Sequence, residues 1–182
     1  MGKAMRTAVQ TDADKAERPD AENNSFRELR RKKQVICREE CIEILMNELR
    51  GVLSVRGDNG YPYGIPMNHY YDPGSGIIYF HSGRGGHKLD SISACDKVSF
   101  CVIDGGKPRD NHWSLDFRSV VVFGRVRVID DPDAVYSVCR KLSYRFTDDE
   151  DYIKNELINS GPGTVLLALT PEHISGKRVN ES

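Results

Sequence analysis

The segment Ile77-Ile78-Tyr79-Phe80-His81-Ser82-Gly83-Arg84-Gly85-Gly86-His87-Lys88-Leu89-Asp90 changes character twice. Its first residues read as a β-strand ending at His81. The glycines read as a turn, and residues 86–94 as a short helix with Leu89 and Ile92 facing inward. A helix N-terminus carries unpaired N–H groups and the positive end of the helix dipole, so it attracts anions. Glycines let the backbone approach a phosphate closely, and Lys88, Arg84 and His87 can supply charge. The junction therefore points to a phosphate-bearing ligand. Neither GxxxxGK[ST] nor GxGxxG occurs in it, so it is neither a Walker loop nor a dinucleotide fingerprint.

The flanking segments are mostly β. Residues 38–50 have helical periodicity, with Cys41, Ile42, Leu45, Met46 and Leu49 as the apolar stripe and Gly51 as the stop. Residues 52–55 read as a strand, Gly57-Asp58-Asn59-Gly60 as a hairpin turn, and 61–71 as a returning strand interrupted by Pro62 and Pro66. Asp72-Pro73-Gly74-Ser75-Gly76 then turns the chain back into the 77–81 strand. Downstream, 97–103 alternates at Val98, Phe100 and Val102, and 104–111 is a polar loop. Residues 115–129 form a long strand rich in β-branched residues, with a bulge or bend at Gly124. Asp130, Asp131 and Asp133 read as helix N-terminal acids around Pro132, and Ala134, Val135, Val138, Cys139 and Leu142 as that helix's buried face. A second helix covers 149–158, a last strand 163–169, and a trailing segment 171–179. Hairpin-linked strands with inserted helices predict a closed barrel or sandwich, and no βαβ alternation supports a parallel sheet.

The chain has 182 residues, enough for one domain with a real core. Residues 1–24 are polar and aperiodic and read as a flexible arm, so the domain spans 25–182. A net charge of −1 argues against nucleic acid as a partner. No apolar run is long enough to span a membrane, and no signal-peptide hydrophobic region follows the N-terminus, which predicts a cytoplasmic protein. The five cysteines include no CxxC pair, so no metal centre and no disulfide framework is expected. Cys37 and Cys41 read as small packing residues.

Four motifs in order carry a family likeness. They are Gly64-Ile65-Pro66-Met67-Asn68; Tyr79-Phe80-His81-Ser82 with Gly86-His87-Lys88-Leu89-Asp90; Phe117-Arg118-Ser119-Val120-Val121-Val122-Phe123-Gly124-Arg125; and Glu172-His173-Ile174-Ser175-Gly176-Lys177-Arg178. With them the chain resembles the FMN-binding split-barrel proteins related to pyridoxamine 5′-phosphate oxidase, and among these the nitroimidazole-reductase-like (nitroimidazole-resistance) branch. The resemblance implies a mainly β fold with inserted helices, a six-stranded antiparallel Greek-key split barrel. It also implies a homodimer with FMN sites at the interface.

The resemblance assigns roles residue by residue. Ile65, Pro66, Met67, Asn68 and His69 run beside the flavin ring and ribityl chain. Phe80, His81 and Ser82 line the cofactor, His87 and Lys88 meet its phosphate, and Ser119 touches the flavin. Trp113, with Ser114, closes the site across the dimer; its other reading is a buried core ring. His81 sits where the branch places an active-site histidine, and with an ordinary pKa near 6.5 it can pass a proton to a reduced substrate. The activity implied is an FMN-dependent oxidoreductase that takes electrons from NAD(P)H and reduces small nitroaromatic acceptors. The oxidase itself has an Arg-Lys pair where this chain has His87-Lys88, and Arg-Gln-Val where it has Arg118-Ser119-Val120. The C-terminal Trp and Arg that hold pyridoxal phosphate have no match. Two alternatives stand beside the reductase: oxidation of pyridoxamine 5′-phosphate, and a module that holds flavin or haem without turnover, with His81 as a haem ligand.

Overall fold

The β-branched run at 115–129 organises the fold. In a computed structural model, which describes residues 25–108, 110–111 and 115–180, it is strand β7 (Leu115–Ile129). The other strands are β1 (Arg50–Arg56), β2 (Pro62–Asn68), β3 (Tyr70–Tyr71), β4 (Ile78–Gly83), β5 (Lys97–Ile103), β6 (Lys107–Pro108) and β8 (Thr164–Asn180). Four helices accompany them: α1 (Arg38–Asn47), α2 (His87–Ala94), α3 (Pro132–Ser143) and α4 (Glu150–Ser160). Neighbouring strands are antiparallel in the order β2-β1-β5-β7-β8-β4-β3, with the short β6 paired to β7. β3 follows β2 after one residue, His69, so the two ends of the sheet are consecutive pieces of one chain segment. That continuity curls the sheet into a half-barrel. Counting β2 and β3 as one strand and β6 as a side ribbon recovers the six strands expected. β2 pairs with β1 and β4 with β8, but β2 and β4 do not pair with each other, and the barrel is split there.

Strand alternation fills the interior with Leu53, Phe80, Phe100, Val102, Val120, Val122, Leu167 and Leu169, all fully buried. The Phe80 and Phe100 rings meet edge to face at 4.9 Å. α1 adds Cys41, Ile44 and Leu45 to this cluster. Its start is a capping box: the Glu40 N–H donates to Cys37 Sγ at 3.5 Å, and the Cys37 N–H donates to Glu40 Oε2 at 3.2 Å. A second apolar layer lies outside the barrel, where α3 and α4 bury Val135, Leu142 and Ile153.

Several boundaries differ from the sequence expectation. α1 ends at Asn47 because Glu48 is already extended (φ −77, ψ 137), and Gly51 sits inside β1. Met46 and Leu49 of the expected stripe are exposed, whereas Ile44 is buried. The returning strand breaks at His69. The polar loop contains β6. The trailing segment is not separate: β8 runs on to Asn180. Pro171 is accommodated because the β7–β8 register shifts there, with Phe123 opposite His173, Gly124 opposite Pro171 and Glu172 as the extra residue. The bulge expected at Gly124 is therefore present. Glycine is needed there, since a Cβ would sit 2.2 Å from the Thr170 carbonyl oxygen.

The break at His69 is a buried polar knot. The imidazole is fully buried, and Nε2 lies 2.9 Å from the Leu45 carbonyl. A carbonyl only accepts, so Nε2 carries the proton and Nδ1 is a buried lone pair without a partner among the described residues. Burial pushes the His69 pKa down to about 4, helped by the Arg145 charge and opposed by the bond to Leu45. Arg145 donates to the His69 carbonyl at 3.0 Å and to the Glu48 carbonyl, so a cation caps the C-terminal end of α1.

Candidate functional site

The split between β2 and β4 is bridged by the β4–α2 junction. Gly86 is the N-cap of α2 with φ 101 and ψ 170, a conformation open to glycine and costly for other residues. No side chain caps the helix. The Leu89 and Asp90 N–H groups turn back to the Gly86 carbonyl at 2.9 and 3.2 Å. The first N–H groups of α2 are thus left without a side-chain acceptor, an arrangement that suits negative charge.

Lys88 stands beside them. Its ammonium is half-buried and lies 3.7 Å from Met67 Sδ on β2. A thioether is a weak acceptor, and no carboxylate of the described residues pairs with this ammonium. Burial accordingly lowers its pKa. His87 is held from the other side. Its ring stacks on Tyr63 at 4.4 Å and 10°, and Nε2 lies 3.3 Å from Asp58 Oδ2 in the β1–β2 turn. Lys88 and His87 therefore tie the junction to β2 and to its turn.

Alternation along β4 turns Phe80 and Ser82 inward and His81 outward. Phe80 is a core ring, so it can reach a ligand through its backbone alone. The Ser82 hydroxyl is buried and donates to the Gly83 carbonyl at 3.1 Å. The His81 side chain opens to solvent, yet the protein around it strips enough water to lower its pKa, and the Lys88 charge lowers it further. Its imidazole is neutral at neutral pH. On β2, Ile65 is half-buried, Pro66 exposed and Met67 buried, while Asn68 Oδ1 accepts from Arg50 Nε at 2.6 Å.

Two sequence expectations, for Arg84 and for Asp130, are corrected. Arg84 does not face the uncapped N–H groups: it forks onto both Asp130 carboxylate oxygens at 2.6 and 2.7 Å and donates to the Pro162 carbonyl at 2.9 Å. Asp130 is correspondingly not a helix acid. Asp131 caps α3 by accepting from the Ala134 N–H at 2.8 Å. Ser119 lies on β7 between Ile103 and Lys177, with β8 between its strand and β4. One chain does not bring it to the junction. Trp113, Ser114 and the arm 1–24 lie outside the described residues. Asp58, Tyr63 and Asp130 escaped sequence reasoning, because turn acids and strand tyrosines carry no local mark of a long-range contact.

Ser119 belongs instead to an outward sheet face. Across it Pro66, Val52, Cys101, Val121 and Ser175 stand in register, and Gly64, Ser54, Ser99, Phe123 and His173 form the next row. Val52, Ile103 and Phe123 are exposed large apolar residues on this face.

The family described as pyridoxamine 5′-phosphate oxidase matches residues 37–178, most of the chain. The chain belongs to the pyridoxamine 5′-phosphate oxidase family. No curated protein matches it significantly. Solved structures share its split-barrel fold. A candidate 5-nitroimidazole antibiotic resistance protein from Bacteroides thetaiotaomicron superposes with a TM-score of 0.64 at 19% identity, covering 81% of this chain and 90% of its own. A FAD-binding protein from Mesorhizobium loti gives 0.58 at 22% identity, with 81% and 98% covered. A FAD- and haem-binding protein from Mycobacterium smegmatis gives 0.62 at 21% identity, with 82% and 74% covered. His87 and Lys88, which the sequence resemblance sets against a phosphate, stand at the start of α2. No helix among the described residues is long and apolar enough to cross a membrane.

Proposed function

We propose that this member of the family is an FMN-dependent oxidoreductase. The observation that carries the reading is Lys88: a half-buried ammonium with a thioether for company, beside an uncapped helix N-terminus. Such a pair of features suits one phosphate monoester. Arg84 and His87 already have acidic partners, so Lys88 is left as the uncommitted cation among the described residues of the junction, which favours FMN over a flavin with a pyrophosphate. Lys88 and the α2 N–H groups would hold the phosphate, and the 65–68 stretch of β2 would line the ribityl chain and ring. The bound isoalloxazine supplies the electron transfer, for which NAD(P)H is the donor and a small nitroaromatic molecule the acceptor.

The junction and Ser119 occupy different faces of one chain. A homodimer packed through the apolar sheet face brings the Ser119 surface of one protomer toward the junction of its partner. His81, open to solvent, passes a proton to the reduced acceptor from its imidazolium form and is recharged from solvent. Turnover then rises as pH falls through the His81 pKa, which lies below the ordinary 6.5. A pH profile flat across that range removes His81 from the reaction.

The test is the absorbance spectrum of the protein with FMN, before and after NADH and a nitroimidazole. Retained flavin absorbance that bleaches with NADH and returns with the nitroimidazole is expected; a protein that retains no flavin overturns the reading. A second reading, a haem-holding module with His81 as ligand, is favoured by the solvent-open imidazole and by the similar FAD- and haem-binding protein. A Soret band on adding haem, with no flavin retained, selects it.

A further inference from the structure

The turn 83–86 contains one side chain among three glycines, that of Arg84. Nothing lies within 4 Å of where a Cβ would stand at Gly83, Gly85 or Gly86, so no side-chain packing shapes the turn beyond the pairing of Gly83 with Thr164 at the end of the β4–β8 ladder. The Arg84 side chain holds it instead. It forks onto both oxygens of Asp130, just after β7, and its Nε reaches the Pro162 carbonyl ahead of β8. Two tethers from separate parts of the chain fix a planar guanidinium in position and orientation.

We propose that Arg84 is a positioning residue. It clamps the glycine turn to Asp130 and Pro162, so that Lys88 and the first N–H groups of α2 stand ready for the phosphate, and it does not touch the phosphate itself. The inference rests on the FMN reading above. The pair is about half exposed, with side-chain exposures of 47% and 57%, so its contribution to global stability is small. Its effect falls on the geometry of a turn that otherwise samples the wide backbone space of glycine.

The experiment measures the affinities of FMN and riboflavin for the wild type, Arg84→Met, Arg84→Lys, Asp130→Asn and the Arg84→Met/Asp130→Asn double variant. Riboflavin has the same ring without the phosphate. Asp130→Asn is expected to weaken FMN about tenfold while riboflavin is unchanged, since the loss is confined to phosphate recognition. Arg84→Met matches it, Arg84→Lys does not rescue because an ammonium cannot fork, and the double variant is no worse than either single one. The thermal midpoints of the apoproteins stay close to wild type. If Arg84 is a phosphate ligand, Asp130→Asn frees it, and FMN affinity is equal or tighter; that result overturns the proposal. Equal losses for riboflavin and FMN also overturn it, as a general disturbance of the site. A wild type that binds no FMN refutes the function proposed above, an outcome distinct from either of these.

Discussion

The barrel interior and the β4–α2 junction share strand β4 and treat polar groups in opposite ways. Inside, Phe80 faces Phe100 and a set of fully buried aliphatic side chains, and the strand backbone is paired. At the junction, beyond Gly83, α2 begins at His87 without a side-chain cap, and among the described residues the hydrogen-bond partner of a half-buried ammonium is a sulfur. The first arrangement minimises free energy for the chain alone. The second leaves donors and charge unsatisfied, which is favourable only when something else supplies an anion. The contrast shows where this fold holds itself together and where it is built to bind.

The contrast breaks most visibly from the interior. Phe100→Ala removes a fully buried ring that packs on both Phe80 and His69, and is expected to cost about 3–5 kcal/mol in a denaturant titration. A loss no larger than that of a surface substitution would mean that the core re-closes and that its packing is less specific than the geometry shows.

His69 tests a fully buried polar group inside. Its folded pKa of about 4 lies below the ordinary 6.5, so the folded state binds fewer protons than the unfolded state between those values. Stability is full above pH 6.5, falls as pH drops toward 4, and is then level as far as this group is concerned. The loss is on the order of 3 kcal/mol across that window. His69→Gln should flatten this part of the stability-versus-pH curve; an unchanged slope would place the titration elsewhere.

Lys88→Met sharpens the comparison from the junction. It should weaken FMN about 10- to 100-fold, the worth of a charge-assisted contact. The unfolding midpoint of the apoprotein should hold or rise, because a poorly compensated cation leaves a half-buried position. A fall in stability with FMN affinity intact would make Lys88 a structural residue and remove the contrast.

Much of the fold was legible in the sequence because strand periodicity is local. β5 and β7 fall on 97–103 and 115–129 as predicted, and the Gly124 bulge is where a glycine inside a β-branched run placed it. The candidate site was legible only as a strand–glycine–helix junction. Pro171 masked the continuation of β8, since a proline inside a strand is ordinarily a stop and only the bulge opposite Gly124 makes room for it. Arg84 misled for a similar reason. A cation in a glycine turn reads as an anion ligand until its partner, 46 residues away at Asp130, is seen.

By itself the sequence determined which segments are strands and helices, that the junction carries glycine and positive charge, and the family to which the motifs belong. These follow from side-chain periodicity and turn chemistry, which act over a few residues. The tertiary structure alone decided how each charge is spent. It paired Arg84 with Asp130 and His87 with Asp58, left Lys88 against Met67, and carried Ser119 to another face of the barrel. Whether a cation is committed or available depends on which acceptors the folded chain brings within a few ångströms, and that distance is not written in the order of the residues.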